Sequence, residues 1–202
     1  FSQKSFKDGQ VLITHDKETF FDTTLIYLLD ININDNQSII SPFYIGPNSV
    51  PFNKSLKFSV NIFNNQETRH LVLSSYDANK AKWNPLTTKR KDSKIISSEI
   101  KEGSIIGVLA DTESPKIDNV IPRNNATYDL NNFNDFEIIV SDNFSGVNHE
   151  SGITLKLNGK TLLTGFNLYQ EKILITRVKD YLEIGQNNYH FIVWDNANNK
   201  SE

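Results

Sequence analysis

The sequence predicts an all-β chain built as two tandem antiparallel β-sandwiches, residues 1–112 and 113–202. Three observations predict it. Apolar residues alternate or come in short runs rich in β-branched and aromatic types, and helical periodicity is almost missing. Asn158-Gly159, flanked by Thr154–Leu157 and Lys160–Leu163, is a strong two-residue hairpin signal, because a type I′ turn needs positive φ at both central positions. The stretch Asp111-Thr-Glu-Ser-Pro-Lys-Ile117 reads as a joint, and the segment beyond it is the size of one small sandwich.

The first module reads in chain order. The turn Lys7-Asp-Gly9 opens a short strand at Val11–Ile13. Thr23–Ile31 is expected as a longer strand, its apolar run implying burial on both faces. Pro42–Ile45 and Leu56–Ile62 come next. In the latter, Leu56, Phe58, Val60 and Ile62 share one face, and Lys57, Ser59 and Asn61 the other. His70–Tyr76, the turn Asp77–Lys80 and Ala81–Leu86 make a hairpin in which Trp83 packs across the partner strand. Lys89-Arg-Lys-Asp92 reads as an exposed tip or loop. Lys94–Ile100 and Gly103–Ala110 complete the module.

The second module repeats the style. Strands are expected at Lys116–Ile121, Asp135–Ser141, Gly152–Leu157, Lys172–Thr176 and Asn188–Asp195. Phe136, Ile138 and Val140 share a face, as do Ile153, Leu155 and Leu157. Val178–Leu182 is the one place for a helical turn. At the joint, Pro115 fixes its own φ and restricts Ser114, so the linker is expected to limit motion between modules.

Composition narrows the function classes. Hydrophobic residues make up 38% and aromatics 11%, enough for packed cores and against disorder. Net charge is −3, with no basic stripe, so nucleic acid is not an expected partner. Residues 1–112 carry 13 Lys/Arg and 12 Asp/Glu; residues 113–202 carry 8 and 12, too little in either half to steer a partner strongly. Cysteine is absent, which excludes disulfides and thiolate metal sites. No apolar run approaches the roughly 20 residues of a membrane helix. The chain opens at Phe1 and has no methionine, as expected of a fragment or processed form.

The order of short motifs in residues 113–202 resembles the bacterial Ig-like modules of secreted and surface proteins. The motifs are Asp111–Ile117, Pro122–Asn124, Val140–Val147, Leu157–Lys160, Leu182–Asn187 and Val193–Asn198. That family usually closes on Asp-x-Ala-Gly-Asn; here Asn198 stands where the Gly would, and Asn tolerates the left-handed conformation. The first module resembles the ZU5-like sandwich that precedes such a module, through Asp8-Gly9, Phe21–Leu25, Tyr44–Pro47, Pro51-Phe52, Tyr76-Asp77, Lys82-Trp83 and Glu102-Gly103. The tandem occurs behind lysostaphin-like (M23) zinc peptidase domains of envelope proteins. The resemblance therefore implies an accessory region of a bacterial periplasmic, surface or secreted protein. It would be non-catalytic and without a cofactor, and its partners would be neighbouring domains of the same chain, cell-wall glycan or another envelope protein. His15, His70, His149 and His190 form none of the peptidase's zinc motifs.

Three residue sets merit a structural test. Asp142 and Asn143 on a turn, with Asp195 at the end of the last strand, would offer oxygen ligands to Ca²⁺ if their loops met; the plainer role is as Asx-turn acceptors. Tyr76 and Trp83 would offer an aromatic platform to a sugar if exposed; the plainer role is cross-strand packing. Lys89-Arg90-Lys91 would meet an anionic polymer if free, and Trp194 is expected in the core. Sequons begin at Asn36, Asn53, Asn125, Asn143 and Asn199, and an Asn-rich chain accounts for them.

Overall fold

The computed structural model describes residues 2–33, 37–47, 50–63, 68–129, 133, 136–175 and 178–202. It is all-β, with four antiparallel sheets, and divides into two compact units, Phe1–Thr112 and Glu113–Glu202. Asp135 and Thr176, at the ends of two expected strands, and the sequon residue Asn36 lie outside the described residues.

In the N-terminal unit one sheet has the order β1-β2-β5-β9-β8. These strands are β1 (Ser2–Phe6), β2 (Val11–His15), β5 (Leu56–Asn61), β9 (Ile95–Ile100) and β8 (Lys89–Arg90). The other is β3-β4-β10-β6-β7, with β3 (Tyr27–Asp30), β4 (Phe43–Gly46), β10 (Ser104–Ala110), β6 (Leu71–Asp77) and β7 (Lys82–Pro85). Both contribute to one apolar core, in which Val11, Ile13, Phe43, Ile45, Leu56 and Val60 are wholly buried. Period-two alternation decides which residues enter it. Leu56, Phe58 and Val60 point inward from β5 while Lys57 between them is exposed.

The expected Thr23–Ile31 strand is corrected. Only Tyr27–Asp30 is extended, it lies at a sheet edge, and it pairs with β4 alone. Leu25 and Leu29 are 76% and 51% exposed, so the run is not buried on both faces. An apolar run cannot by itself separate a central strand from an edge strand, since neighbours, not composition, supply the burial.

The C-terminal unit has one sheet β11-β12-β16-β15, built from β11 (Lys116–Ile121), β12 (Glu137–Ser141), β16 (Lys172–Ile175) and β15 (Thr164–Asn167). The other is β14-β13-β17-β18, built from β14 (Lys160–Leu162), β13 (Ile153–Leu157), β17 (Tyr189–Trp194) and β18 (Lys200–Ser201). Their inner faces share a core around Ile138, Val140, Leu155 and Val193. Asn158 and Gly159 have φ of 50° and 79°, the two positive values a type I′ hairpin requires. Asn198 has φ of 63°, so it occupies the left-handed conformation that Asn tolerates. The helical turn is a 3₁₀ turn at Val178–Tyr181.

Trp194 is half-buried and faces outward, correcting its expected place in the core. Parity along β17 is the reason: Phe191 and Val193 point inward, so Trp194 must point out. Strands β1, β8, β15 and β18 were not expected. They are short edge or terminal strands with weak apolar alternation, and backbone pairing rather than side-chain pattern defines them.

Candidate functional site

Strands β12 and β17 belong to different sheets of the C-terminal unit, and both run from one end of it to the other. At their finishing end, the turn after β12 meets the turn after β17. Val147 forms a bridge with Asp195, and the Asn196 side-chain amide donates to the carbonyls of Ser145 and Gly146 at 2.9 and 3.0 Å. The carboxylate oxygens of Asp142 and Asp195 lie within 4.8 Å of each other. The loops singled out in the sequence therefore do meet.

What these carboxylates do is visible in their partners. Asp142 Oδ2 accepts the backbone N–H of Phe144 at 3.1 Å and of Gly146 at 2.6 Å. Asp195, wholly buried, accepts the N–H groups of Ala197 and Asn199 on Oδ1 at 2.8 and 2.7 Å, and the Asn199 side-chain amide on Oδ2 at 2.7 Å. Asn143 donates its side-chain amide to Glu113 Oε2 at 3.0 Å. Each aspartate thus serves as a turn acceptor.

The aromatic platform is corrected. Trp83 is 3% exposed and so presents no face to a sugar. It stands directly opposite Tyr76 across β6 and β7, with ring centroids 5.0 Å apart. Gly107 makes room for it: a Cβ there would lie 2.5 Å from Trp83 Cη2 and 2.9 Å from Ser38 Oγ. Ser38 is in turn tied to β10, its Oγ accepting from Val108 N at 3.1 Å. The basic run is also absorbed in part. Arg90 lies in β8 and its guanidinium donates to the carbonyls of Thr68 and Leu71 at 3.0 and 2.8 Å, so it is no solvated tip.

Among the described residues none of the four histidines gathers with other potential metal ligands. His149 stacks on Phe166, with centroids 6.4 Å apart, and His190 Nε2 lies 3.5 Å from Glu202 Oε2. The Lys200 ammonium, hydrogen-bonded to the same Glu202, holds that carboxyl below the usual value, with His190 adding a smaller effect. The cluster is exposed, and such pairs contribute little to stability.

The starting end of β12 and β17 carries a second feature, bordered by the motifs Pro122–Asn124 and Leu182–Asn187, which gave no sign of its aromatic lining. A cleft of about 920 Å³ opens between residues 122–129 and 182–189. Four rings run along it edge to face: Tyr128 to Phe133 at 5.6 Å, Phe133 to Phe136 at 5.9 Å, Phe136 to Tyr189 at 5.6 Å. The phenols fix the outer two. Tyr189 donates to Pro122 O at 3.3 Å, and Tyr128 Oη accepts from Arg123 N at 3.0 Å. The opposite wall is built around Asn187. Its side-chain oxygen accepts from Glu183 N and from Asn158 Nδ2, both at 2.8 Å, and its amide donates to Glu183 O at 2.8 Å and Gly185 O at 3.2 Å.

Asn158 locks this wall to the β13–β14 hairpin. Its Nδ2 also donates to Tyr181 O at 3.1 Å, and its Oδ1 accepts from Asn188 N at 2.9 Å. Asn158→Asp turns both donor contacts into oxygen–oxygen repulsions at a position where Asp tolerates positive φ nearly as well. The expected cost is about 2–3 kcal/mol, read from the urea midpoint of Trp194 fluorescence; a loss under about 0.5 kcal/mol would show the lock to be ornamental.

Of these rings, alternation with Ile138 and Val140 marks Phe136 as inward-facing, but Tyr128 and Phe133 lie outside the strands, where no period picks them out. Comparison with protein-family models, with curated proteins and with solved structures returns no significant match.

Proposed function

We propose that this chain is a non-catalytic accessory region of a bacterial envelope or secreted protein, spacing or docking a neighbouring domain, an M23-type peptidase among the candidates. One observation carries the reading. The polar groups that the sequence offered as reactive are engaged in building two self-contained sandwiches. Asp142 and Asp195 tie down turns, Arg90 satisfies carbonyls, and Trp83 fills a slot behind Gly107. The motif order of a bacterial Ig-like module behind a ZU5-like sandwich supports the same assignment and a location in the periplasm, at the surface or outside the cell. Glycan binding through Tyr76 and Trp83 is not part of the proposal, because Trp83 is buried. Among the described residues no helix is long and apolar enough to cross a membrane.

The linker supplies the test. Strand β10 ends at Ala110 and β11 begins at Lys116, with Pro115 just before it. A spacer requires the two units to reorient together. ¹⁵N relaxation is expected to give one rotational correlation time for amides of residues 2–110 and 116–201. Two clearly different times, each that of a free domain of roughly a hundred residues, would remove the spacer reading.

A further inference from the structure

We propose that the cleft between residues 122–129 and 182–189 of the C-terminal unit binds a short, neutral oligosaccharide. The site goes beyond the spacer reading and does not depend on it.

The cleft's volume of about 920 Å³ lies within the roughly 300–1,000 Å³ of small-molecule sites, which also combine an apolar floor with a few convergent polar groups. Both parts are present. Tyr128 is 41% exposed and its ring is held at both ends, by Phe133 behind it and by the Arg123 N–H on its phenol. An aromatic ring already fixed in place loses little conformational freedom on stacking. The cleft is also lined by side chains with no hydrogen-bond partner among the described residues: the exposed amides of Asn124 and Asn125, the Arg123 guanidinium and the Glu183 carboxylate. Gln186 and Asn188 sit beside them, joined by a 3.4 Å bond long enough to yield to a ligand.

A sugar ring matches this arrangement. Its C–H face covers an aromatic face, and its hydroxyls both donate and accept, as amides and carboxylates require. An apolar peptide anchor would find less, because Phe133 and Phe136 are only 7% and 3% exposed. Charge argues for a neutral ligand. The lining carries Arg123 against Asp129 and Glu183, so it is net negative and disfavours carboxylated or phosphorylated polymers.

The test uses the full ¹⁵N-labelled chain, titrated separately with cellotetraose, maltotetraose, mannotetraose and tetraacetylchitotetraose. Tetragalacturonate and a pool of ten-residue peptides serve as the other arms. At least one neutral tetrasaccharide is expected to shift amides of residues 123–129 and 183–188 saturably. Tyr128→Ala is expected to weaken that binding about tenfold, equivalent to about 1.4 kcal/mol. Tyr169→Ala, which removes a fully exposed ring remote from the cleft lining, leaves it unchanged. Should Tyr128→Ala unfold the unit, Asn124→Ala, which breaks no side-chain hydrogen bond among the described residues, takes its place with an expected loss of threefold or more. The proposal is overturned by no neutral binding at about 10 mM, by shifts confined elsewhere, by binding of the uronate or peptides alone, or by cleft variants that bind normally. None of these results bears on whether the two units tumble together.

Discussion

Asp195→Ala is expected to destabilise the C-terminal unit by about 3 kcal/mol or more, because it leaves several buried donors without an acceptor. Three donors lose their acceptor at once: the N–H groups of Ala197 and Asn199 and the Asn199 side-chain amide. Each buried orphan costs about 1–3 kcal/mol, so the sum is large even if water reaches one of them. Asp195→Asn is the informative companion. Its remaining oxygen keeps the two backbone bonds, and the Asn199 amide restores the third by turning over to accept from the new Nδ2. The expected loss is only about 1 kcal/mol. Trp194 is the sole tryptophan of this unit and Trp83 of the other, so fluorescence reports the two unfolding transitions separately. Equal losses for the Ala and Asn variants would mean that the charge, not the donor geometry, holds the turn.

Trp83→Ala is expected to cost the N-terminal unit about 3–5 kcal/mol, the usual range for emptying a buried tryptophan site. Gly107→Ala is expected to cost about 1–3 kcal/mol by overpacking, since its Cβ would press on the far edge of the same indole. The decisive measurement is the double variant. Once the indole is gone the closest clash is relieved and only the Ser38 Oγ contact remains, so the two losses fall short of adding by more than about 1 kcal/mol in calorimetry. Additivity within about 0.5 kcal/mol would show that the two positions do not share the slot.

Residue pattern made some parts of this molecule legible and hid others for physical reasons. Strand β5 was plain because its alternation is strict over six residues, and the β13–β14 hairpin because Asn-Gly has few other uses between apolar runs. Strand β3 was overextended because an apolar run carries no information about whether a neighbour lies on each side. Trp83 was ambiguous because its burial depends on a glycine twenty-four positions later and on the Ser38 segment, contacts that no local window contains. At the Asp142–Asp195 end the residues were readable as acceptors, and the meeting of their loops required the pairing of Val147 with Asp195. The cleft was unreadable for the opposite reason: alternation could mark Phe136 as inward, but Tyr128 and Phe133 sit outside the strands, where side-chain direction follows the path of the chain rather than a period.

The sheet order of the C-terminal unit has a kinetic side. Strand β17 lies between β13 and β18, and its partner in β13 precedes it by about forty residues, as in the pairing of Ile153 with Val193. The β13–β14 hairpin closes through a two-residue turn and forms early, yet one of its edges stays open until residues 189–194 leave the ribosome. Closing so long a loop is slow compared with hairpin formation. During synthesis the hairpin must therefore wait with Leu155 and Leu157 uncovered, which makes the interval before β17 arrives the period of greatest exposure to chaperones and to mispairing with another nascent chain.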